Sequence, residues 1–429
     1  MELTEKEIKI AKAYNRKLFP IYKMFSWDLL FYYSIIFIFF VQTKGFTASE
    51  IMFADAFYPV AKFIFQVPCV NIVDKFGKRI GIILGNILVC SSILFVIFCP
   101  NLKILILINI LMSVGYNFKD LCDTNLLNEC IEEGSSKNHI FSKIDGKGAS
   151  SFYYFDAIST CFTGFLFVIN PYLPIYICFI ICIVATLISF NFKIFETEKF
   201  KNETSKNVEY IKSLKFSYKS ILNSPRLRTL ITFSGFFYGI LSLSTTLMSS
   251  LLTELKIPNQ YYGIIFSCLI ICSALSSNKQ NYFHKKFKNR LLTYFSLTYS
   301  FSLIAIGLIS YANFNIKFTI MFVFIMLSIQ YIIKGPYWTL IKRYLNSFTN
   351  PEITTKIYSL DTLAGSSIRT LISLFCSWLL GVTSTFVTYA ILGCVLSVIF
   401  IFLLDYMKTR VGLKPEEYSD IDINFANKQ

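Results

Sequence analysis

Charge is scarce in this sequence. Of 429 residues, 16% are Asp, Glu, Lys or Arg, against about 25% in an ordinary soluble domain. Histidine is scarcer: only His139 and His284 occur, both in hydrophilic stretches between apolar runs, which argues against a histidine proton relay in the interior. The 12 cysteines lie almost entirely within apolar runs, with no Cys-x-x-Cys pair and no Cys/His cluster. That pattern gives neither a metal site nor a disulfide framework, and marks the cysteines as small packing hydrophobes. A phosphate loop is missing too. Gly77-Lys78 is followed by Arg79, and Ile72 stands where the first glycine of such a loop would be, so an ATP-driven pump lacks its phosphate cradle. No polar stretch is large enough for a soluble catalytic core, so neither an enzyme nor a cofactor is expected.

Apolar residues fill the space that charge leaves. AVILMFWYC make up 54% of the chain, and the mean hydropathy is +0.55. These values exclude an ordinary soluble protein and a disordered chain. A helix needs about 20 mostly apolar residues to span a bilayer. Twelve such runs are present, near 18–41, 50–72, 80–99, 103–128, 148–170, 171–192, 228–252, 260–280, 291–311, 317–343, 358–381 and 385–407. The first is too long for a signal-peptide core and no small-residue cleavage site follows it, so a retained helix is expected. The 45 Phe and 26 Tyr accompany a heavy use of Ile, Asn and Lys, and most of their rings are expected to face lipid.

The net charge of +15 invites a nucleic-acid partner, but its distribution gives another account. With the N-terminus placed in the cytoplasm, 33 of the 41 Lys and Arg fall in the tails and connectors of that side. Only Lys44, Lys103, Lys256 and Lys317 fall opposite, and four more lie within helices. Basic residues collect on the cytoplasmic side, so both termini are expected there, in a multi-pass protein of the cytoplasmic membrane with no nucleic-acid partner.

The longest polar stretch separates six runs from six. The expected layout is a six-helix half over 1–192, a basic cytoplasmic linker over 193–227, a second half over 228–407 and a cytoplasmic tail over 408–429. Lys119 and Lys334 lie 215 residues apart in the fourth and tenth runs. Ser142-Lys143-Ile144 and Thr355-Lys356-Ile357 lie 213 apart before the fifth and eleventh. Each match alone is at chance level. Together they support an all-α membrane protein of twelve transmembrane helices in two pseudo-symmetric halves, with a site at the midplane.

Between the second and third runs stands Gln66-Val67-Pro68-Cys69-Val70-Asn71-Ile72-Val73-Asp74-Lys75-Phe76-Gly77-Lys78-Arg79. This resembles the signature G-x-x-x-D-R-x-G-R-R of the major facilitator superfamily, in the form written by its drug-efflux-like branch. Asp74, Lys75, Gly77, Lys78 and Arg79 fit, whereas Gln66 replaces a glutamate and Val70 a glycine. The resemblance implies a latch between Asp74 and the cytoplasmic end of helix 11, a single working chain and proton-driven export. Independently of any family, Gly77 permits a tight turn, and Lys78 and Arg79 suit an anionic lipid surface. Asp123 and Glu129 match the acidic positions of the branch's helix 4 motif, whose Ser, Gly, Ala and Tyr are missing. Helix 5 has Gly164 without the Gly-Pro pair of many antiporters.

A charge at the centre of a spanning helix costs at least ~2.5–3.5 kcal/mol, so it needs a partner or a task. Asp28, Lys62, Asp156 and Arg369 fall deep in the expected helices and sum to zero charge, which suits a zwitterionic, anionic or neutral cargo. Asp28 is the first candidate for the proton or substrate site, because low dielectric lets a carboxylate load and release a proton. A fixed Asp28–Lys62 ion pair is the bland alternative. Arg369 offers a planar cation to an anionic group, or pairs with Asp156 or Asp361. Lys119 and Asp123, four apart on one helix face, are expected to pair, and with Asp120, Glu129 and Lys334 they are candidates for an inner gate. The first functional reading is efflux of a small organic molecule by proton antiport. The alternative is proton-coupled uptake of an anionic or zwitterionic solute. A transport-inactive receptor or scaffold is the third.

Overall fold

The computed structural model describes residues 4–132, 137–193, 225–287, 290–312, 314–347 and 351–410. Within them every regular element is helical. Two compact units form, one from Met1–Asn207 with Pro258–Phe266 and one from Val208–Ile257 with Ser267–Gln429. Most of the expected linker, 194–224, and most of the tail, 411–429, lie outside the described residues.

The first unit begins with α1 (Glu5–Ser26), which starts well before the apolar run. Thr4 and Glu7 form a capping box, each side chain accepting the other's backbone N–H. Ala11, Asn15, Phe19, Tyr22 and Ser26 then recur at helical spacing as a buried stripe, so an amphipathic face extends the helix toward the N-terminus. The helix expected to continue to residue 41 does not. It ends at Ser26, residues 27–35 are non-helical, and a short α2 (Ile36–Ile38) runs into a π-turn at Phe39–Thr43.

The second span bends between α3 (Ala48–Asp55) and α4 (Phe57–Phe76). Pro59 explains the bend, since it has no N–H for the Asp55 carbonyl and its ring clashes there. Next come α5 (Lys78–Phe98), α6 (Leu102–Glu129), α7 (Lys137–Ile169) and α8 (Leu173–Phe190). The expected connector at 137–147 is instead the first turns of α7, which carry Lys143 and Lys147. Lys23 explains part of this: it pairs with Asp145 at 2.5 Å and lies 4.0 Å from the Trp27 ring, fastening α1 to α7.

The second unit holds α9 (Pro225–Glu254), the part of α10 (Tyr262–Asn278) that follows Phe266, a short α11 (Gln280–Phe287), α12 (Arg290–Ile309), α13 (Ile316–Ser347), α14 (Pro351–Val382) and α15 (Thr385–Arg410). Glu254 at the end of α9 accepts the Thr385 N–H at 2.7 Å, capping α15. Phe237 packs edge-on against Tyr299, Tyr337 and Phe400 at the centre of this unit.

Eleven helices among the described residues are long and apolar enough to cross a membrane, one for each expected run but the first, whose helix is broken. Large apolar side chains such as Phe63, Ile180, Phe301, Trp378 and Phe402 point outward. The interior is rich in small hydroxyl residues, as expected where the surroundings are as apolar as the core. Ser92, Thr163 and Ser296 satisfy themselves on carbonyls three or four residues back. Tyrosine departs from the expectation that most rings face lipid. Tyr22, Tyr262, Tyr299, Tyr337 and Tyr389 are among the largest fully buried side chains, and Tyr22 and Tyr337 hydrogen-bond other side chains there.

Candidate functional site

The break in the first helix places the candidate site. Ser26 closes α1, and Asp28 stands two residues later in non-helical backbone. Phe31 sits at φ 59, a left-handed conformation that a bulky L-residue holds only at a cost of about 1–3 kcal/mol. Asp28 Oδ1 accepts hydrogen bonds from the Tyr33 hydroxyl at 2.6 Å, the Tyr116 hydroxyl at 2.7 Å and the Leu29 N–H at 2.8 Å. Two of these donors come from the broken segment and one from α6, so the carboxylate ties the break to the bundle.

Beside Asp28 lies Lys119 on α6, buried with 4% of its surface exposed. Its ammonium donates to the Ser26 carbonyl and lies 4.8 Å from the centre of the Tyr116 ring. It thereby caps the carbonyl end of α1, where the helix dipole favours a cation. Ser26, Asp28, Asn86, Tyr116, Lys119 and Cys182 line a small recess. From there a chain of side chains continues. Ser26 Oγ donates to Asn86 Oδ1 at 3.2 Å, Asn86 Nδ2 to the Tyr22 hydroxyl at 3.0 Å, and Tyr22 to Asp123 Oδ1 at 3.1 Å.

Lys62 does not pair with Asp28. It forms an ion pair with Asp120 at 2.8 Å, and its carbonyl accepts Asn117 Nδ2 at 2.9 Å. The packing of α4 on α6 thus directs Lys62 to the acid of its nearest neighbour. Lys119 and Asp123 share a helix face as expected but do not bond to each other: Lys119 turns to Ser26 and Asp123 to Tyr22. Asp156 on α7 accepts from Thr160 at 3.3 Å and lies within electrostatic reach of Asp28.

The signature loop is a tight turn. Gly77 has φ 88, a conformation that glycine adopts freely, and its N–H closes on the Val73 carbonyl at 2.7 Å. Lys78 forms an ion pair with Glu129 at the end of α6, and Arg79 donates to the Phe190 carbonyl at the end of α8 at 2.8 Å. Lys75 lies 5.2 Å from the Phe76 ring, and Asp74 is half-buried in the last turn of α4. These contacts all lie within the first unit. In the second unit, Lys334 donates to Ser244 Oγ at 3.0 Å and lies 5.1 Å from the Tyr331 ring, with Arg369 in electrostatic reach.

Sequence reasoning missed Tyr22, Tyr33, Asn86 and Tyr116. One signal was present: Tyr116-x-x-Lys119 and Tyr331-x-x-Lys334 repeat at the same 215-residue offset as the lysines.

No protein-family model matches the chain, and no curated protein sequence does. Its fold is similar to solved structures over nearly the whole chain. The nucleoside transporter NupG matches with a TM-score of 0.70 at 13% identity, over 94% of this chain and 99% of that one. A bacterial homologue of the human lysosomal transporter Spinster, inward-facing and unoccupied, matches with a TM-score of 0.66 at 12% identity, over 94% and 98%. A D-xylose–proton symporter matches with a TM-score of 0.63 at 11% identity, over 93% and 97%. At these identities the likeness shows the fold. The chain is a multi-pass helical membrane protein with the major facilitator fold.

Proposed function

We propose that this chain is a secondary transporter that carries a small organic solute by alternating access, driven by protons, and that Asp28 is its proton-coupling residue. The observation that carries the reading is the carboxylate at the break of the first helix, held by two tyrosine hydroxyls and backed by a buried lysine. Broken helices in membrane proteins expose backbone ends where ions and substrates bind. Protonation of Asp28 removes its negative charge and one acceptor site. The Tyr33 and Tyr116 donors then lose their ionic partner, and the strained segment around Phe31 is free to rearrange. A proton can thus change the shape of the recess. Asp156, within electrostatic reach, is a second carboxylate available to receive it.

Inward symport is the direction we favour. The fold is shared with a D-xylose–proton symporter, and helix 5 lacks the Gly-Pro pair of many antiporters. Efflux is the second reading, favoured by the resemblance of the 66–79 loop to the drug-efflux-like branch. The asymmetry of Lys and Arg supports a cytoplasmic membrane with both termini inside. A panel of toxic compounds in a bacterial host stripped of its own exporters separates the directions. Protection that Asp28→Asn removes, at equal membrane level, supports efflux. Heightened sensitivity that Asp28→Asn removes supports uptake. No effect of well-inserted protein on any compound counts against both, and favours a transport-inactive receptor.

A further inference from the structure

The exposed face of a spanning helix shows what it meets. On α8 every exposed residue is apolar or aromatic, and Tyr176, Ile180, Ile183 and Leu187 recur at helical spacing as a stripe suited to lipid. On α6 every exposed residue is polar, and Asp120, Thr124 and Asn128 recur four apart with Asn125 beside them. Such a stripe within a span faces water, because charge set against lipid is costly. Asp120 lies nine residues before Glu129, which meets Lys78 beside the turn into α5. Nine residues rise about 14 Å, which brings Asp120 close to the middle of a hydrocarbon core about 30 Å thick.

Lys62 of α4 joins Asp120 there. Their ion pair is 2.8 Å long, and the two side chains are 26% and 61% exposed. Other bonds dock the two helices: Ser113 donates to the Tyr58 carbonyl at 2.6 Å, and Asn117 to the Lys62 carbonyl at 2.9 Å. A solvent-exposed ion pair adds little to stability, less than the cost of placing a charge at mid-span. Holding α4 to α6 therefore does not account for the pair. Its place does: a cation and an anion stand side by side, on separate helices, on a water-facing wall near the middle of the bilayer.

We propose that Lys62 and Asp120 form a subsite for a small zwitterion of the α-amino acid type. The subsite deepens the transporter reading and rests on it for the identity of the ligand as cargo. The solute carboxylate binds the Lys62 ammonium and the solute ammonium binds Asp120, so each protein charge exchanges one partner of opposite sign for another. A solute with only one of the two groups satisfies one side chain and leaves the other charge unpaired, which is the basis for its rejection. Asp28 is not part of the subsite and is left to the proton.

The test is binding, measured apart from transport. The purified full chain in neutral detergent is heated with each of the common α-amino acids, compared with its amide, which lacks the carboxylate, and its des-amino acid, which lacks the ammonium. At least one amino acid is expected to raise the unfolding temperature, with both of its analogues at least about tenfold weaker, the loss expected for one charge-assisted contact. Asp120→Asn is expected to abolish the preference over the des-amino acid, and Lys62→Gln the preference over the amide. The exchange of Lys62→Asp with Asp120→Lys keeps a pair on the same two helices. It guards against single variants that fail to fold and is expected to retain much of the binding. Preferences that survive both single substitutions, or no amino acid acting on the folded native protein, overturn the subsite. Zwitterion binding of the expected pattern in a protein that transports nothing keeps the subsite and removes the transporter reading. Proton-driven transport of other solutes without any zwitterion effect does the reverse.

Discussion

Lys119 and Lys334 hold the same pose in the two units. Each ammonium lies over the tyrosine three residues before it, at 4.8 and 5.1 Å, and each donates to a serine on the first long helix of its own unit. For Lys119 the bond is structural as well as electrostatic, because it caps the carbonyl end of a helix that stops within the expected span. Lys119→Met is expected to leave the Ser26 carbonyl without that donor and to lower stability by about 1–3 kcal/mol. Lys119→Arg is expected to recover part of it. Thermal unfolding in detergent checks both, and equal stability of Lys119→Met and native protein would contradict the capping role.

The Lys78–Glu129 pair tests the signature loop within the first unit. Their side chains are 17% and 39% exposed, so solvent screens the interaction and its coupling is expected below about 1 kcal/mol. Lys78→Glu and Glu129→Lys are each expected to reduce function, and the double exchange to restore part of it. A double-mutant cycle on transport rate measures the coupling; strictly additive effects would show that the pair does not act as one.

Close helix packing makes a sharper stability prediction. A Cβ on Gly115 would fall 2.7 Å from the Val89 side chain and 2.9 Å from the Gly85 carbonyl oxygen. Backbone cannot yield as a side chain tip can, so Gly115→Val is expected to cost about 1–3 kcal/mol or more and to reduce the amount of folded protein. Gly146, with open space around it, serves as the control: Gly146→Ala is expected to be tolerated.

The start of α1 responds to acid. The Thr4 backbone N–H and hydroxyl both donate to Glu7, holding its carboxyl below the usual glutamate value. A lowered folded-state pKa contributes stability above the unfolded value and loses it as pH falls through the folded one. The protection of the amides of residues 5–9, taken relative to the intrinsic exchange rate at each pH, is therefore expected to fall at acid pH below the ordinary glutamate range, and Glu7→Gln to blunt that response.

Much of the fold was legible because the bilayer imposes one rule, about 20 apolar residues per span. The broken first helix was not, since residues 27–35 are as apolar as their neighbours and contain neither Gly nor Pro. What breaks the helix is tertiary: Asp28 is drawn to Tyr116 and the helix end to Lys119. The same reason explains the pairing errors. Depth counted along single helices put Lys62 level with Asp28, but only the packing of α4 on α6 shows that Asp120 is the nearer acid. The deep charges themselves were visible from the sequence, because each is expensive enough to stand out. Their tyrosine partners were not, because 26 tyrosines offer no way to choose among them without the fold.

The central claim is that Asp28 couples protons to solute movement. Proteoliposomes separate the coupled step from the exchange step, once the panel has supplied a transported compound. The native protein is expected to accumulate that compound under an imposed pH gradient and also to exchange it with no gradient. Asp28→Asn is expected to lose accumulation while keeping exchange, because it lacks the titrating group but retains an acceptor for Tyr33 and Tyr116. Gradient-driven accumulation by Asp28→Asn at the native rate would contradict the account.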